Sequence, residues 1–248
     1  MPEQLKKEIL LPAGEKLYSS LGSVIHGALM EHLPNDFVQA VHKQGLRPYS
    51  ESIYWDKAQQ KAIWRMNVLN NAAATVILPI LNNLDELNLR QRGYSLAMRS
   101  LEYQAQSYNE LVDAMFLSDK APKGVYMHFL TATSFKRNGQ YLNFPDVFLI
   151  INSLLNRWNE FADAVPLYEN QLAANLSAMC KVDRYKLHSQ NFSLERQVIQ
   201  GFAGSIRIRF FAGDMQRRLL GLLCSYAVYA GVGIKTALGM GGTEVEIF

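Results

Sequence analysis

Three residues near the start of the chain have the types and spacing for proton and charge chemistry. His26 follows Val24-Ile25, and His42 follows Ala40-Val41. Both lie in runs of helical periodicity, and on a helical wheel each sits about 100° from the apolar residue before it. That is the edge of a buried face, where packing holds a ring that still meets a ligand. Imidazole ordinarily titrates near neutrality, so it serves as a general acid or base. Arg47 stands five positions after His42, in Gly45-Leu46-Arg47-Pro48-Tyr49. Its guanidinium stays charged and offers charge stabilisation rather than proton transfer. A helix-edge histidine is more often a half-buried surface residue than a ligand, and His32, His128 and His188 carry that plainer reading.

A second constellation lies at the other end of the chain. Gly231-Val232-Gly233-Ile234-Lys235-Thr236-Ala237-Leu238-Gly239-Met240-Gly241-Gly242 has five glycines in twelve residues. A backbone path that tight brings amide N–H groups close to a phosphate, and Lys235 adds a positive charge. A packing turn, with glycine where segments cross, explains the same residues equally. The loop is not a Walker motif, because Ile234 stands where glycine must precede Lys-Thr. Nor is it a dinucleotide fingerprint, because it follows a helix and precedes a strand.

Between Lys181 and Arg218 there are eight basic and three acidic residues, a net +5 against +3 for the whole chain. Arg207 and Arg209 alternate with Ile206, Ile208 and Phe210, which puts both arginines on one face of a strand. Charge mixed with aromatics such as Tyr185 and Phe192 suits single-stranded nucleic acid. A solvated sheet face is the plainer alternative. Lys136-Arg137 is a further basic turn.

The elements that must position these residues follow from hydrophobic period and breakers. A strand is expected over 5–11, then a helix over 15–33 with Leu17, Leu21, Val24, Ile25, Ala28 and Leu29 on one face. Pro34 stops it. Asn35 or Asp36 caps a second helix carrying Phe37, Val38 and Val41. A hairpin is expected from 52–55 and 62–68, a helix over 72–81 ending near Pro79, a strand over 94–104 and a helix over 107–116. Ser118 to Gly124 is the boundary candidate. Beyond it come a strand over 125–131 and a helix over 146–162 with the stripe Phe144, Phe148, Ile151, Leu155, Trp158. Strand-like segments at 182–188, 192–199 and 205–211, a helix over 214–229 and a closing strand over 245–248 complete the chain. Each half thus mixes strands with about two helices, the order of a split βαβ module.

Composition narrows the classes. With 248 residues, 49% hydrophobic and 19% charged, the chain has material for one large or two compact domains and is not globally disordered. Two cysteines, Cys180 and Cys224, exclude a disulfide framework and a four-cysteine zinc site. No CxxC, HExxH or GxSxG pattern occurs, so neither a metal nor a cofactor is expected. No apolar run reaches the roughly 18 residues of a membrane span, and the N-terminus lacks a secretory pattern. A cytoplasmic protein is expected.

The glycine-rich loop, with the helix ending Tyr226-Ala227-Val228-Tyr229-Ala230 before it, resembles the signature of the RAMP superfamily of CRISPR-associated proteins. Two other stretches resemble its repeat-cleaving endoribonuclease branch. One runs from Phe135-Lys136-Arg137-Asn138-Gly139 through Phe144-Pro145-Asp146 to Ser153-Leu154-Leu155-Asn156-Arg157-Trp158. The other is Ile25-His26-Gly27 with Val41-His42 and Pro48-Tyr49-Ser50. The resemblance implies an α+β fold of two tandem ferredoxin-like, RNA-recognition-like domains packed side by side, here 1–120 and 121–248. It implies metal-independent cleavage of CRISPR repeat RNA (pre-crRNA) by 2′-hydroxyl attack, giving mature crRNA with a 2′,3′-cyclic phosphate. It assigns His42 as principal acid or base, His26 as its partner and Arg47 as charge stabiliser, and leaves open which histidine takes which proton. Lys235, Arg207, Arg209, Gly231, Gly233, Gly239, Gly241, Lys136 and Arg137 become candidate RNA contacts. The implied partners are the repeat RNA, an effector complex that receives the product and, as a further option, a second copy of the chain. No membrane is expected. The alternative is a RAMP subunit that binds crRNA as a structural component and cuts nothing.

Overall fold

The computed structural model describes residues 1–18, 20–194 and 197–248. Its first half runs β1 (Glu3–Leu10), α1 (Leu21–Met30), α2 (Asn35–Lys43), β2 (Tyr49–Asp56), β3 (Lys61–Val68), α3 (Asn71–Asn82), β4 (Glu86–Leu89) and β5 (Tyr94–Ala105). These strands form one sheet in the order β2-β3-β1-β5-β4, with every neighbouring pair antiparallel. After α4 (Tyr108–Phe116) come β6 (Gly124–Thr133), the hairpin β7 (Phe135–Arg137) and β8 (Gln140–Leu142), α5 (Val147–Phe161), α6 (Leu172–Ala178), β9 (Cys180–Leu194), β10 (Gln197–Phe210), α7 (Asp214–Ala230), a 3₁₀ turn (Thr236–Leu238) and β11 (Thr243–Ile247). The second sheet has the order β11-β6-β10-β9.

Both sheets therefore place the last strand of a βαββαβ unit beside the first, then the third and the second. That is the ferredoxin-like order, with β4 added at one edge of the first sheet. Each sheet has its own core. Ile25, Leu29, Trp64, Met66 and Ile77 anchor the first. Val125, Met127, Ile151, Trp158, Ile206 and Leu223 anchor the second.

Several elements depart from expectation for local reasons. The first helix begins at Leu21 rather than Glu15. Gly14 has φ +88°, and the Glu15 N–H bonds back to the Pro12 carbonyl at 3.0 Å, so the chain completes a turn before it can coil. Pro34, extended at φ −56° and ψ 137°, is the cap of α2, and Asn35 is already helical. α3 continues past Pro79, which lies on its exposed side. On α5 the buried residues are Ile150, Ile151, Leu154, Leu155, Arg157, Trp158 and Phe161. Phe144 precedes the helix and is 61% exposed, and Phe148 is 38% exposed, so neither belongs to the expected stripe. The three strand-like segments after 182 are two long strands, and Gly201 to Gly204 lies within β10. Glu195 and Arg196, which count towards the basic run, lie outside the described residues, as does Ser19 within the expected first helix.

β2 is the seam between the halves. Residues 49–54 are all buried, which a strand with one wet face cannot be. Tyr49 and Ile53 enter the first core. The Ser50 hydroxyl donates to the Tyr229 carbonyl at 2.5 Å, and a Cβ on Gly242 would fall 2.4 Å from that of Ser52. One face of β2 thus supports α1, and the other rests on the second half.

Candidate active site

α1 and the glycine-rich loop meet backbone to backbone. A Cβ on Gly22 would come within 2.9 Å of both the Gly239 Cα and the Leu238 carbonyl oxygen. This approach carries the 3₁₀ turn and Lys235 to the flank of α1, where His26 lies one position past the buried Ile25. Between them is a cavity of about 160 Å³ lined by His26, Arg47, Arg157, Lys235 and Thr236, with Gln44 and Gly45 at its edge. His42 is exposed in the last turn of α2, close enough for its charge to act on His26. His26 and Arg47 are thus brought to one cavity beside the glycine-rich loop, with His42 outside its lining but near enough to be felt electrostatically.

The electrostatics of this cavity are cationic. His26 is 7% exposed. Burial lowers its pKa to about 4, and the positive charges of Arg47 and His42 push in the same direction. Its ring stacks on Tyr49, with centroids 5.8 Å apart and planes 26° apart. Burial raises the Tyr49 phenol to about 12, although Arg47 bonds to it and pulls the other way. Arg157, from α5, is 5% exposed, and its Nη1 has no hydrogen-bond partner among the described residues. Burial works against its charge, and Tyr226 counters that in part. The buried Thr236 hydroxyl is likewise without a partner. A buried guanidinium with an unused donor is costly unless an anion meets it.

Behind His26 lies Glu51, fully buried on β2. Its Oε1 is 3.5 Å from His26 Nδ1, and its Oε2 accepts the Trp64 indole N–H at 2.9 Å. Burial raises the carboxyl to about 8, opposed by that indole bond. Glu51, Arg157 and Thr236 were not singled out as chemical groups from the sequence. An acid inside a strand reads as a wet face, and an arginine in a helical stripe reads as its solvent edge.

The glycine loop is used differently from the phosphate-cradle expectation. Gly231, Gly233, Gly239 and Gly241 have φ of +67°, +85°, +103° and +68°. The Gly231 amide donates to the Ala227 carbonyl, that of Gly233 to the Ser153 hydroxyl and that of Gly241 to the Ala132 carbonyl. These three amides are committed inside the protein, so here glycine provides a backbone path. Lys235, itself at φ +55° and exposed, is the charge this path presents.

The other candidates lie away from the cavity. Arg207 is held by Asp183 through two hydrogen bonds, donates to the Tyr126 hydroxyl at 3.2 Å and lies 5.8 Å from that ring's centroid. Arg209 is exposed and lies over Phe211, 5.6 Å from its centroid. Lys136 and Arg137 are exposed on the β7–β8 hairpin, and Arg137 is 3.9 Å from Asp146. A larger cleft of about 600 Å³ adjoins the cavity at Leu238, but Arg92 is its one charged wall among the described residues. Among the described residues no three His, Cys, Asp or Glu side chains are grouped to hold a metal ion, and no helix is long and apolar enough to cross a membrane.

Comparison with known proteins agrees with this architecture. The family model described as CRISPR-associated endoribonuclease Cas6 matches residues 127–243. A CRISPR-associated endoribonuclease Cas6 of Streptococcus thermophilus is 28% identical over 221 residues, covering 89% of each chain. One of Mycobacterium tuberculosis is 26% identical over 246 residues, covering 98% of this chain and 77% of its own. Among solved structures, a Cas6 product complex superposes with a TM-score of 0.80 at 24% identity, covering 99% of this chain and 100% of that one, and so shares the fold. The chain is thus similar over most of its length to CRISPR-associated Cas6 endoribonucleases, and residues 127–243 match that family's model.

Proposed function

We propose that this protein is a metal-independent endoribonuclease that cuts CRISPR repeat RNA and leaves a 2′,3′-cyclic phosphate. The observation that carries this reading is the cavity where His26, with His42 beside it, faces Arg47, Arg157 and Lys235. RNA supplies its own nucleophile, the 2′-hydroxyl next to the scissile phosphate. What remains is a base for its proton, an acid for the departing 5′-oxygen and positive charge for the phosphorane oxygens. The two imidazoles suit the proton transfers, each contributing roughly 10²–10⁴ in rate. The fixed cations suit the charge, contributing roughly 10²–10³. The relatives from Streptococcus thermophilus and Mycobacterium tuberculosis, both CRISPR-associated endoribonucleases, support RNA cleavage as the activity.

The two units, 1–120 and 121–248, divide the work. The first brings the histidines, and the second holds the RNA backbone through Lys235, which the path of Gly231, Gly233, Gly239 and Gly241 presents. Lys136, Arg137 and Arg209 extend that grip. Arg207 acts indirectly, because Asp183 already neutralises it. The reaction takes place in the cytoplasm, and the product passes to a CRISPR effector complex. Self-association as a homodimer is checked by sedimentation.

The test is incubation of the purified protein with repeat RNA in EDTA. Cleavage with a cyclic phosphate at the 3′ end is expected, and a substrate with 2′-deoxy at the cut site resists. Cleavage of the deoxy substrate overturns the mechanism. RNA that is bound but left intact would make the protein a structural crRNA-binding subunit instead.

A further inference from the structure

Glu51 and His26 present two buried polar atoms that have only each other. Among the described residues, neither His26 Nδ1 nor Glu51 Oε1 has a hydrogen-bond partner, and they face each other at 3.5 Å. The other carboxyl oxygen is anchored by Trp64 at 2.9 Å, so the carboxyl cannot turn away. The His26 ring is clamped against Tyr49 and by its helix. Hydrogen bonds of this kind are often long without substrate and tighten when it binds.

The groups facing His26 come from every element around it. β2 presents Tyr49 and Glu51, α2 presents His42, the segment after it Arg47, α5 Arg157 and the glycine loop Lys235. None of the residues lining the cavity is Asp or Glu. Among so many cations a buried imidazole stays neutral, so it can give up its single N–H proton only if its other nitrogen receives one. Among the described residues Glu51 is the one acid paired with it, and burial keeps that acid protonated near neutrality.

We propose that Glu51 is the positioning partner of His26: its carboxylic acid fixes the ring with Nε2–H towards the cavity and replaces the proton that His26 gives to the departing 5′-oxygen. The inference rests on the proposed ribonuclease reading of this site. In the step, the 2′-oxygen–phosphorus bond forms while His42 takes the 2′-hydroxyl proton. The phosphorus–O5′ bond breaks, and its electron pair leaves with O5′. The His26 Nε2–H bond breaks as O5′–H forms, and the Glu51 O–H bond breaks as Nδ1–H forms. Glu51 ends as a carboxylate and His26 as the other neutral tautomer. Solvent returns the proton between turnovers and takes one from His42. Exposed His42 suits the base because it exchanges freely with water, whereas His26 does not.

The test compares wild type, Glu51→Gln, His26→Ala and His42→Ala on repeat RNA with the ordinary 5′-oxygen and with a bridging 5′-sulfur at the cut site. Sulfur leaves without a proton. Glutamine still accepts the Trp64 N–H and can donate to Nδ1, but has no proton to transfer. Glu51→Gln is expected to lose roughly 10²-fold in kcat with KM unchanged, and to recover to within a few-fold on the sulfur substrate. His26→Ala should recover likewise, and His42→Ala should not. The fall in wild-type activity as pH rises past about 8 should be absent in Glu51→Gln. A wild-type rate for Glu51→Gln, or a defect equal on both substrates, overturns the proposal. Nitrogen-15 NMR of the imidazoles in the free wild-type protein gives a second readout that needs neither cleavage nor a folded variant. His26 is expected as the neutral Nε2–H tautomer at pH 7. An Nδ1–H tautomer overturns the proposal even if repeat RNA proves not to be the substrate, and an Nε2–H tautomer without cleavage fails the ribonuclease reading alone.

Discussion

The two sheets share a strand order and differ in what their connections carry. In the first, the opening crossover is split into α1 and α2, and its titratable side chains, His26 and His42, gather at the seam with Glu51 behind. In the second, the closing connection is the glycine loop, which brings a fixed cation, Lys235, on a backbone held by internal hydrogen bonds. One half holds groups that change protonation, and the other holds groups that do not. A βαββαβ unit provides several connections at its rim, and here opposite ends of two units are used so that unlike chemistry meets at a single cavity.

The largest expected effect tests the first half alone. His42→Ala should slow cleavage of repeat RNA roughly 10²-fold or more under single turnover while leaving RNA affinity within about twofold. A comparable loss of affinity would place His42 among the gripping residues and erase the division. Next comes the path of the glycine loop. A Cβ at Gly241 would meet the Val232 carbonyl oxygen at 2.1 Å and impose a strained φ of +68°. Gly241→Ala should therefore cost about 1–3 kcal/mol, read from urea unfolding. Unchanged stability would show that the loop does not need its path.

A pH series separates the halves further. The Glu51 carboxyl lies at about 8 in the fold against 4.5 when free. Between those values the folded state binds the extra proton, so this group's contribution to stability is present at low pH and lost as pH rises towards 8. Glu51→Gln should flatten that decline in melting temperature, and a decline of wild-type steepness would point to another group. Lys235→Ala should weaken RNA binding about equally across sequences and reduce the salt slope by about one. The smallest effect is a contrast within the basic face. Arg207→Ala should change RNA affinity less than Arg209→Ala, because Asp183 already pairs with Arg207. The reverse order would show that the ion pair opens on binding.

Long periodic elements were legible in the sequence, and short or doubly buried ones were not. α7 follows its hydrophobic period and appears almost where expected, whereas β2, buried on both faces, was expected only over 52–55 and begins at Tyr49. β4, α6 and the β7–β8 hairpin are too short for a period to show. Of the candidates singled out from spacing and resemblance, His26 and Arg47 line the cavity and His42 lies outside its lining. Glu51 and Arg157 were not legible, because their burial depends on a partner surface far away in sequence. The glycine loop was readable as a tight path, but where its amides would bond was not, since Ser153 and Ala132 belong to other elements.

The contact between Gly22 and Gly239 has one more consequence. Bare main chain lies against bare main chain there, so no rotamer can swing to widen or narrow the gap. The spacing of the loop's main chain from α1, and so of the Lys235 backbone from the helix that carries His26, is thus a fixed gauge, set when the chain folds. On the proposed ribonuclease reading, a transcript would bend to that gauge, and the contour of its sugar–phosphate chain would decide which bond is severed.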